Sequence, residues 1–186
     1  MMHTQVSQTC SKCFAALRQL RSIRRSVSND VMQSLIVALV FSRLDYGSAT
    51  LAGLPKQLMD RLQSVQNAAA RLISKACRQD HIQPLLRRLH WLRMPERISF
   101  RLAVLVYRCL HGSAPGYLAS DFQRVTPQRT STTALFDYIT PATAASVWNS
   151  LPESVRSLPS LQVFRSRLKT ELFAGLTAMT KNVTLR

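Results

Sequence analysis

The chain has 186 residues and an apolar fraction of 46%, which is enough to bury a core and argues against wholesale disorder. It carries 25 Lys and Arg against nine Asp and Glu, a formal net charge of +16. Such an imbalance repels itself unless an anionic partner offsets it, and a polyphosphate is a commoner partner than an anionic membrane surface.

The N-terminal stretch MMHTQVSQTCSKC lacks the apolar run of a signal peptide. The longest apolar run, SLIVALVF, is too short to span a bilayer. We therefore expect an intracellular protein with no membrane partner, whose cysteines are reduced thiols.

Amphipathic helices are predicted along the first two-thirds of the chain, over residues 4–25, 29–44, 55–75, 82–89 and 95–110. Ser28 is the expected N-cap region of the second helix, because short polar side chains accept the free N–H groups of the next turn. That helix is apolar on most sides, which predicts a central position in the packing. Pro55 and Pro95 suit first turns of helices, and Gly112 suits a helix end.

After residue 118 the composition changes. Residues 119–146 are rich in turn formers and predict an irregular linker, with ALFDYIT as a candidate short strand. A C-terminal helical segment is predicted over 147–175 and a disordered tail over 176–186. The predicted fold class is mainly α: a multi-helix domain over 1–118 followed by an irregular, weakly packed C-terminal extension.

Residues able to carry chemistry are few and scattered. Cys10 and Cys13 form a lone CxxC on the apolar face of the first helix; zinc needs four ligands, so buried structural thiols are favoured over a metal site. The remaining His and Cys residues fall on different elements, and Asp80 is explained as a helix cap. No converging carboxylates, Walker loop or dinucleotide motif occurs. We expect no catalytic site, no cofactor and no metal in this chain.

Arginine stripes run along several predicted helices with almost no acidic partners. A solvated helix face is the alternative explanation, but such faces usually interleave both signs of charge. Arginines at repeated positions suit bidentate contacts to a phosphate backbone. The predicted nucleic-acid contacts are Arg18, Arg21, Arg25, Arg71, Lys75, Arg78, Arg97, Arg101 and Arg108.

Several strings together resemble one protein family. They are SRLDYGSATLAGLP (42–55), LMDRLQSVQNAAARLI (58–73), DHIQPLLRRLHWLRMPERISFRLAVLVYRCLHGSAPGYL (80–118) and VWNSLPESVRSLPSLQVFRSRLKTELF (147–173). They resemble the segment downstream of the polymerase core in non-LTR (LINE-type) retrotransposon reverse transcriptases, in order and spacing. CSKCFAALRQLRSIRRSVSND resembles the helix just before that segment.

The resemblance implies a helical thumb and connector, which hold the template–primer duplex, without the catalytic palm or the endonuclease. It implies a non-catalytic fragment that binds RNA, DNA or an RNA–DNA duplex through backbone contacts. Trp91 is expected in the core, with base stacking as the alternative. Further packing positions implied by the resemblance are Leu44, Tyr46, Leu54, Val65, Leu72, Trp148 and Leu151.

Three other functions stay open from the sequence. The chain could be a helical protein-interaction or structural module that self-associates or binds a missing palm domain, with the apolar stripe Leu161–Leu172 as its contact surface. It could be a non-functional retroelement remnant. It could also belong to an active reverse transcriptase if the gene extends upstream.

Overall fold

The computed structural model describes residues 2–46, 51–116 and 141–183, and this part of the chain is mainly helical and contains no strand. The predicted mainly α, multi-helix fold class is therefore confirmed. Contacts divide the chain into two compact units. The first unit comprises Met1–Ser48 and Leu54–Pro95, and the second comprises Ala49–Gly53 and Glu96–Arg186.

The first unit is built around two long helices, α1 (Met2–Ser22) and α4 (Lys56–Ser74), which pack on one another. Between them come α2 (Asn29–Ile36), a π-helical turn (Val37–Phe41) and α3 (Ser42–Asp45). The short α5 (Ile82–Arg88) packs on α4. Alanines at the middle of α4 let neighbouring helices approach closely, and Ala69 and Ala70 are fully buried.

The start of α2 follows the sequence closely. The Ser28 hydroxyl accepts a hydrogen bond from the N–H of Val31 at 3.3 Å, as the N-cap prediction requires.

The π-helical turn aligns an apolar row whose spacing is four residues. Its members are Met32, Ile36, Val40 and Leu44, and each keeps at most 1% of its surface exposed. In a regular helix each step of four residues overshoots one full turn by roughly 40°, so such a row would wind around the helix. The i→i+5 bonds of the π turn widen one turn and keep the later members of the row on the buried side.

The opposite side of this segment is exposed. Val31, Val37 and Leu39 keep 42–48% of their surface accessible, and Tyr46 keeps 82%. The predictions that the second helix is central and that Tyr46 packs in the core are therefore wrong. Hydrophobic composition on several sides of a helix does not ensure that several neighbours cover it.

A buried amide network joins α4 to the segment after α5. The Gln66 side chain, fully buried, donates from Nε2 to the Leu92 carbonyl at 2.7 Å. Gln63 accepts from the Met94 N–H at 2.8 Å and donates to Gln66 and Asn67. Each buried amide group thus has a partner, which buried polar groups require. This network fixes the chain where Trp91 enters the core.

Trp91 is 7% exposed and meets the Phe41 ring edge-on at a centroid distance of 4.5 Å. Its predicted role as a core residue is confirmed, and it is not placed to stack on a base. Asp80 differs from its prediction: its carboxylate accepts from the Cys77 N–H at 2.6 Å, and His81 precedes α5 without a side-chain cap.

The second unit has its own aromatic core. Helix α6 (Met94–Leu110) begins in the first unit, and its remainder from Glu96 packs with α7 (Pro141–Asn149), α8 (Glu153–Arg156) and α9 (Leu161–Val183). Tyr107 lies at the centre: its ring stacks on Phe164 at 4.4 Å, and its hydroxyl donates to the Leu158 carbonyl at 2.8 Å. Gly112, at φ +65°, ends α6 as predicted.

The C-terminal third departs from prediction in two respects. Helix α7 begins at Pro141, inside the range predicted to be an irregular linker, while residues 119–140 and the candidate strand lie outside the described residues. Phe164 and Leu168 on α9 are fully buried, so the segment that contains them is not weakly packed. Residues 184–186 of the predicted disordered tail lie outside the described residues.

Candidate nucleic-acid interface

Arginines on the solvent side of α1 form the first wall of a groove. Arg18 and Arg21 lie one helical turn apart on α1, and Arg25 follows in the turn after the helix. All three are exposed, whereas Cys13 and Leu20 of the same helix are buried. This wall corresponds to the arginine stripe predicted from the sequence.

The C-terminal end of α4 forms the second wall. Arg71 lies in the last turn of α4, Lys75 follows the helix, and Arg78 lies in the next turn. Lys75 adopts a left-handed conformation, with φ 53° and ψ 30°, and its N–H bonds the Arg71 carbonyl. The Ala76 N–H bonds the same carbonyl at 3.1 Å, which closes the end of the helix.

These two walls enclose one open groove of about 1250 Å³, which we call the basic groove. Six of the nine predicted contact residues line it, and no Asp or Glu is among its lining residues. The lining residues are Phe14, Leu17, Arg18, Arg21, Ser22, Arg24, Arg25, Ser64, Ala68, Arg71, Leu72, Lys75, Ala76 and Arg78. Residues about 50 positions apart in sequence thus form a single surface of one charge.

Arg24, which the sequence did not single out, holds the two walls together. Its guanidinium is only 8% exposed and donates from Nε to the Leu72 carbonyl at 2.8 Å and from Nη2 to the Ile73 carbonyl at 2.7 Å. It also bonds the Val27 carbonyl and the Asn29 side chain. The last carbonyls of a helix lack partners within the helix and carry partial negative charge, so a cation there satisfies and stabilises them.

The remaining groove cations are available to a ligand. Within the part of the chain that the structure describes, the side chains of Arg18, Arg21, Arg25, Lys75 and Arg78 form no hydrogen bond or ion pair. Arg71 donates from Nη2 to the Asp80 carbonyl at 3.4 Å, and its Nε is buried without a partner. Unpaired guanidinium groups on two facing walls can form bidentate contacts with phosphate oxygens.

The other three predicted contacts lie on α6 in the second unit and do not line the basic groove. Arg101 and Arg108 are exposed, and Arg97 is partly buried. Arg108 donates from Nη2 to the Ser113 carbonyl at 3.1 Å, beside the end of its own helix. This contact gives Arg108 a local structural role as well as its charge.

Three of the four thiols are buried inside the fold. Cys10, Cys13 and Cys109 are buried, and only Cys77 of the four is exposed. Burial raises the pKa of Cys10 and of Cys109; for Cys13, burial and the neighbouring Cys10 raise the pKa to about 11. Among the described residues no group of three or more His, Cys, Asp and Glu could hold a metal ion.

None of the described helices is both long and apolar enough to cross a membrane. Comparisons with known family models, with curated protein sequences and with solved structures give no significant match to this chain.

Proposed function

We propose that this protein binds the sugar–phosphate backbone of a nucleic acid in the basic groove. The observation that carries the proposal is the convergence of Arg18, Arg21 and Arg25 with Arg71, Lys75 and Arg78 on one surface without a lining carboxylate. A solvated helix face would keep acidic residues beside its cations to form i, i+4 pairs. The first unit carries fourteen Lys and Arg and only four Asp. An anionic partner is the best source of the negative charge that would balance this excess.

The type of partner follows from the geometry. A single small anion would occupy one or two guanidinium groups, whereas a phosphate backbone presents charges at regular intervals along its length. Such contacts position a nucleic acid without reading its bases, so binding is expected to depend little on sequence. The proposal assigns the chain a binding role and no catalytic one.

The resemblance to the post-palm region of LINE-type reverse transcriptases supports the same class of partner. In that context the chain would be a non-catalytic piece of an RNA-directed DNA polymerase, whose thumb and connector grip RNA or an RNA–DNA duplex. The resemblance rests on the order of strings along the sequence, whereas the groove depends on residues that come together only in the fold.

Fluorescence anisotropy with labelled RNA and RNA–DNA oligonucleotides, at two salt concentrations, tests the proposal. We expect micromolar or tighter binding at low salt and a steep loss of affinity at higher salt, because counterions released from phosphates drive such binding. Absence of binding at low salt would contradict it.

A matched pair of double variants locates the site. Arg21→Gln/Arg25→Gln removes two charges from the groove, and Arg87→Gln/Arg88→Gln removes two exposed charges from α5, outside the groove. We expect the groove variant to lower the slope of log K against log salt by roughly 1.4–1.8, and the α5 variant to change it little. Equal effects of the two variants would show that net charge, not the groove, binds the nucleic acid.

A further inference from the structure

The lining of the basic groove includes apolar side chains, namely Phe14, Leu17, Ala68, Leu72 and Ala76. Phe14 is the one aromatic residue in this lining, and it is only partly buried. A purely electrostatic surface for a backbone needs no apolar lining.

An apolar lining discriminates between paired and unpaired nucleic acid. A duplex keeps its bases stacked inside and presents phosphates, sugars and base edges, which gain little from an aromatic ring among the cations. An unpaired strand exposes the faces of its bases, which stack on aromatic side chains whatever their sequence. Positive grooves with such aromatic residues are the usual arrangement in proteins that bind single strands.

We propose that the basic groove takes an unpaired stretch of nucleic acid, with a base stacked on Phe14 and the flanking phosphates on the two walls. This inference rests on the proposed function and names the form of nucleic acid that the groove takes. The volume of about 1250 Å³ exceeds the roughly 300–1,000 Å³ of a pocket for one small molecule, so more than one nucleotide is expected to enter.

Anisotropy with a labelled single-stranded oligonucleotide and with its duplex, at one salt concentration, tests the preference. We expect the single strand to bind at least severalfold more tightly. Phe14→Leu keeps an apolar side chain of similar size but removes the ring, and should weaken single-strand binding roughly tenfold while leaving duplex binding unchanged. Phe14→Trp keeps a stacking surface, so it should retain the affinity and add indole fluorescence that the bound strand quenches.

A competition experiment separates a strand from a free nucleotide. Unlabelled oligonucleotide should displace the labelled strand, whereas ATP at the same phosphate concentration should not. Displacement by ATP at that concentration would overturn the assignment of a strand.

The failure of this inference differs from the failure of the proposed function. If Phe14→Leu binds both probes like the wild type and single strand and duplex bind equally, the inference is overturned. The proposed function then stands, provided that Arg21→Gln/Arg25→Gln still weakens both complexes. If that double variant weakens neither complex, the proposed function itself fails. Circular dichroism melts of each variant establish that it is folded.

Discussion

Lys75 combines a strained backbone with a position in the basic groove, and replacing it with glycine should separate the two effects. Its φ of 53° is a conformation that side chains with a Cβ disfavour. The hydrogen bonds that close α4 here come from the backbone N–H groups of Lys75 and Ala76, so Lys75→Gly retains both. The Lys75 side chain itself bonds nothing among the described residues.

The expected gain in stability follows from two opposing terms. The left-handed backbone conformation raises the free energy of a residue with a Cβ by about 1–2 kcal/mol, and glycine removes this strain. Glycine also gives the unfolded chain more freedom, which opposes folding by about 0.5–1 kcal/mol. The net result is a stabilisation of about 0.5–1 kcal/mol, or a rise of about 1–4 °C in Tm for a chain of this length.

The same substitution should weaken binding, because it removes one cation from the groove. The slope of log K against log salt should fall by about 0.7 for a single strand. Thermal melts followed by circular dichroism, together with anisotropy at several salt concentrations, measure the two effects on the same samples.

His90 supplies a matched control. It has φ 54°, lies two residues after the last residue of α5, and does not line the groove. His90→Gly should raise Tm by a similar amount and leave binding unchanged. A lower Tm for Lys75→Gly would refute the assignment of strain at this position, and unchanged binding would refute the contact between Lys75 and phosphate.

Further predictions concern other parts of the structure. Arg24→Met should destabilise the protein by about 2–4 kcal/mol in urea denaturation, because the Leu72 and Ile73 carbonyls at the end of α4 lose their donor. A loss below about 1 kcal/mol would contradict the anchoring role of Arg24. Ellman's reagent should modify Cys77 rapidly in the native protein and the other three thiols only on unfolding; four fast thiols would refute their burial. Burial raises the pKa of Cys13 from 9.0 to about 11, so the neutral thiol contributes its full stabilisation below pH 9 and loses it as the pH rises towards 11. Cys13→Ala should therefore show a weaker decline of Tm between pH 9 and pH 11 than the wild type. An equal decline in both proteins would exclude the thiol as the cause. Tyr107→Phe should lower the stability of the second unit by about 1 kcal/mol through loss of the bond to Leu158, and no change would mean that water replaces this bond without cost.

The sequence alone predicts the helices and six of the residues that line the basic groove, because these predictions depend on local patterns. The N-cap at Ser28 and the end of α6 at Gly112 depend on residues within one or two turns, so local patterns suffice to place them. The basic residues of the two cationic walls are also recognisable in the sequence as runs of Arg and Lys. The sequence does not show that the two walls converge, because their convergence depends on how α1 packs against α4.

Arg24 shows why long-range contacts escape such reasoning. In the sequence it is one basic residue beside Arg25, and nothing distinguishes the two. In the fold Arg25 is exposed, while Arg24 is buried against carbonyls 48 and 49 residues away. The exposed apolar side of α2 and the π-helical turn was also missed. Burial depends on how many neighbouring elements cover a helix, and the hydrophobicity of its residues does not reveal that number. The stripe Leu161–Leu172 was a candidate contact surface, but its Phe164 and Leu168 are covered by the core of the second unit.

The one-sided charge of the basic groove gives folding and binding opposite responses to ionic strength. With no carboxylate among the lining residues, the two walls repel one another in the empty protein, and this repulsion opposes the packing of α1 on α4. Added salt screens the repulsion over about 10 Å at 0.1 M and so stabilises the free protein. The same salt weakens the binding of a phosphate ligand, and that binding would otherwise stabilise the folded protein. Under the proposed function, nucleic acid and salt are alternative sources of the same counter-charge. The protein alone is then expected to be least stable in dilute buffer, where its complex is expected to be tightest.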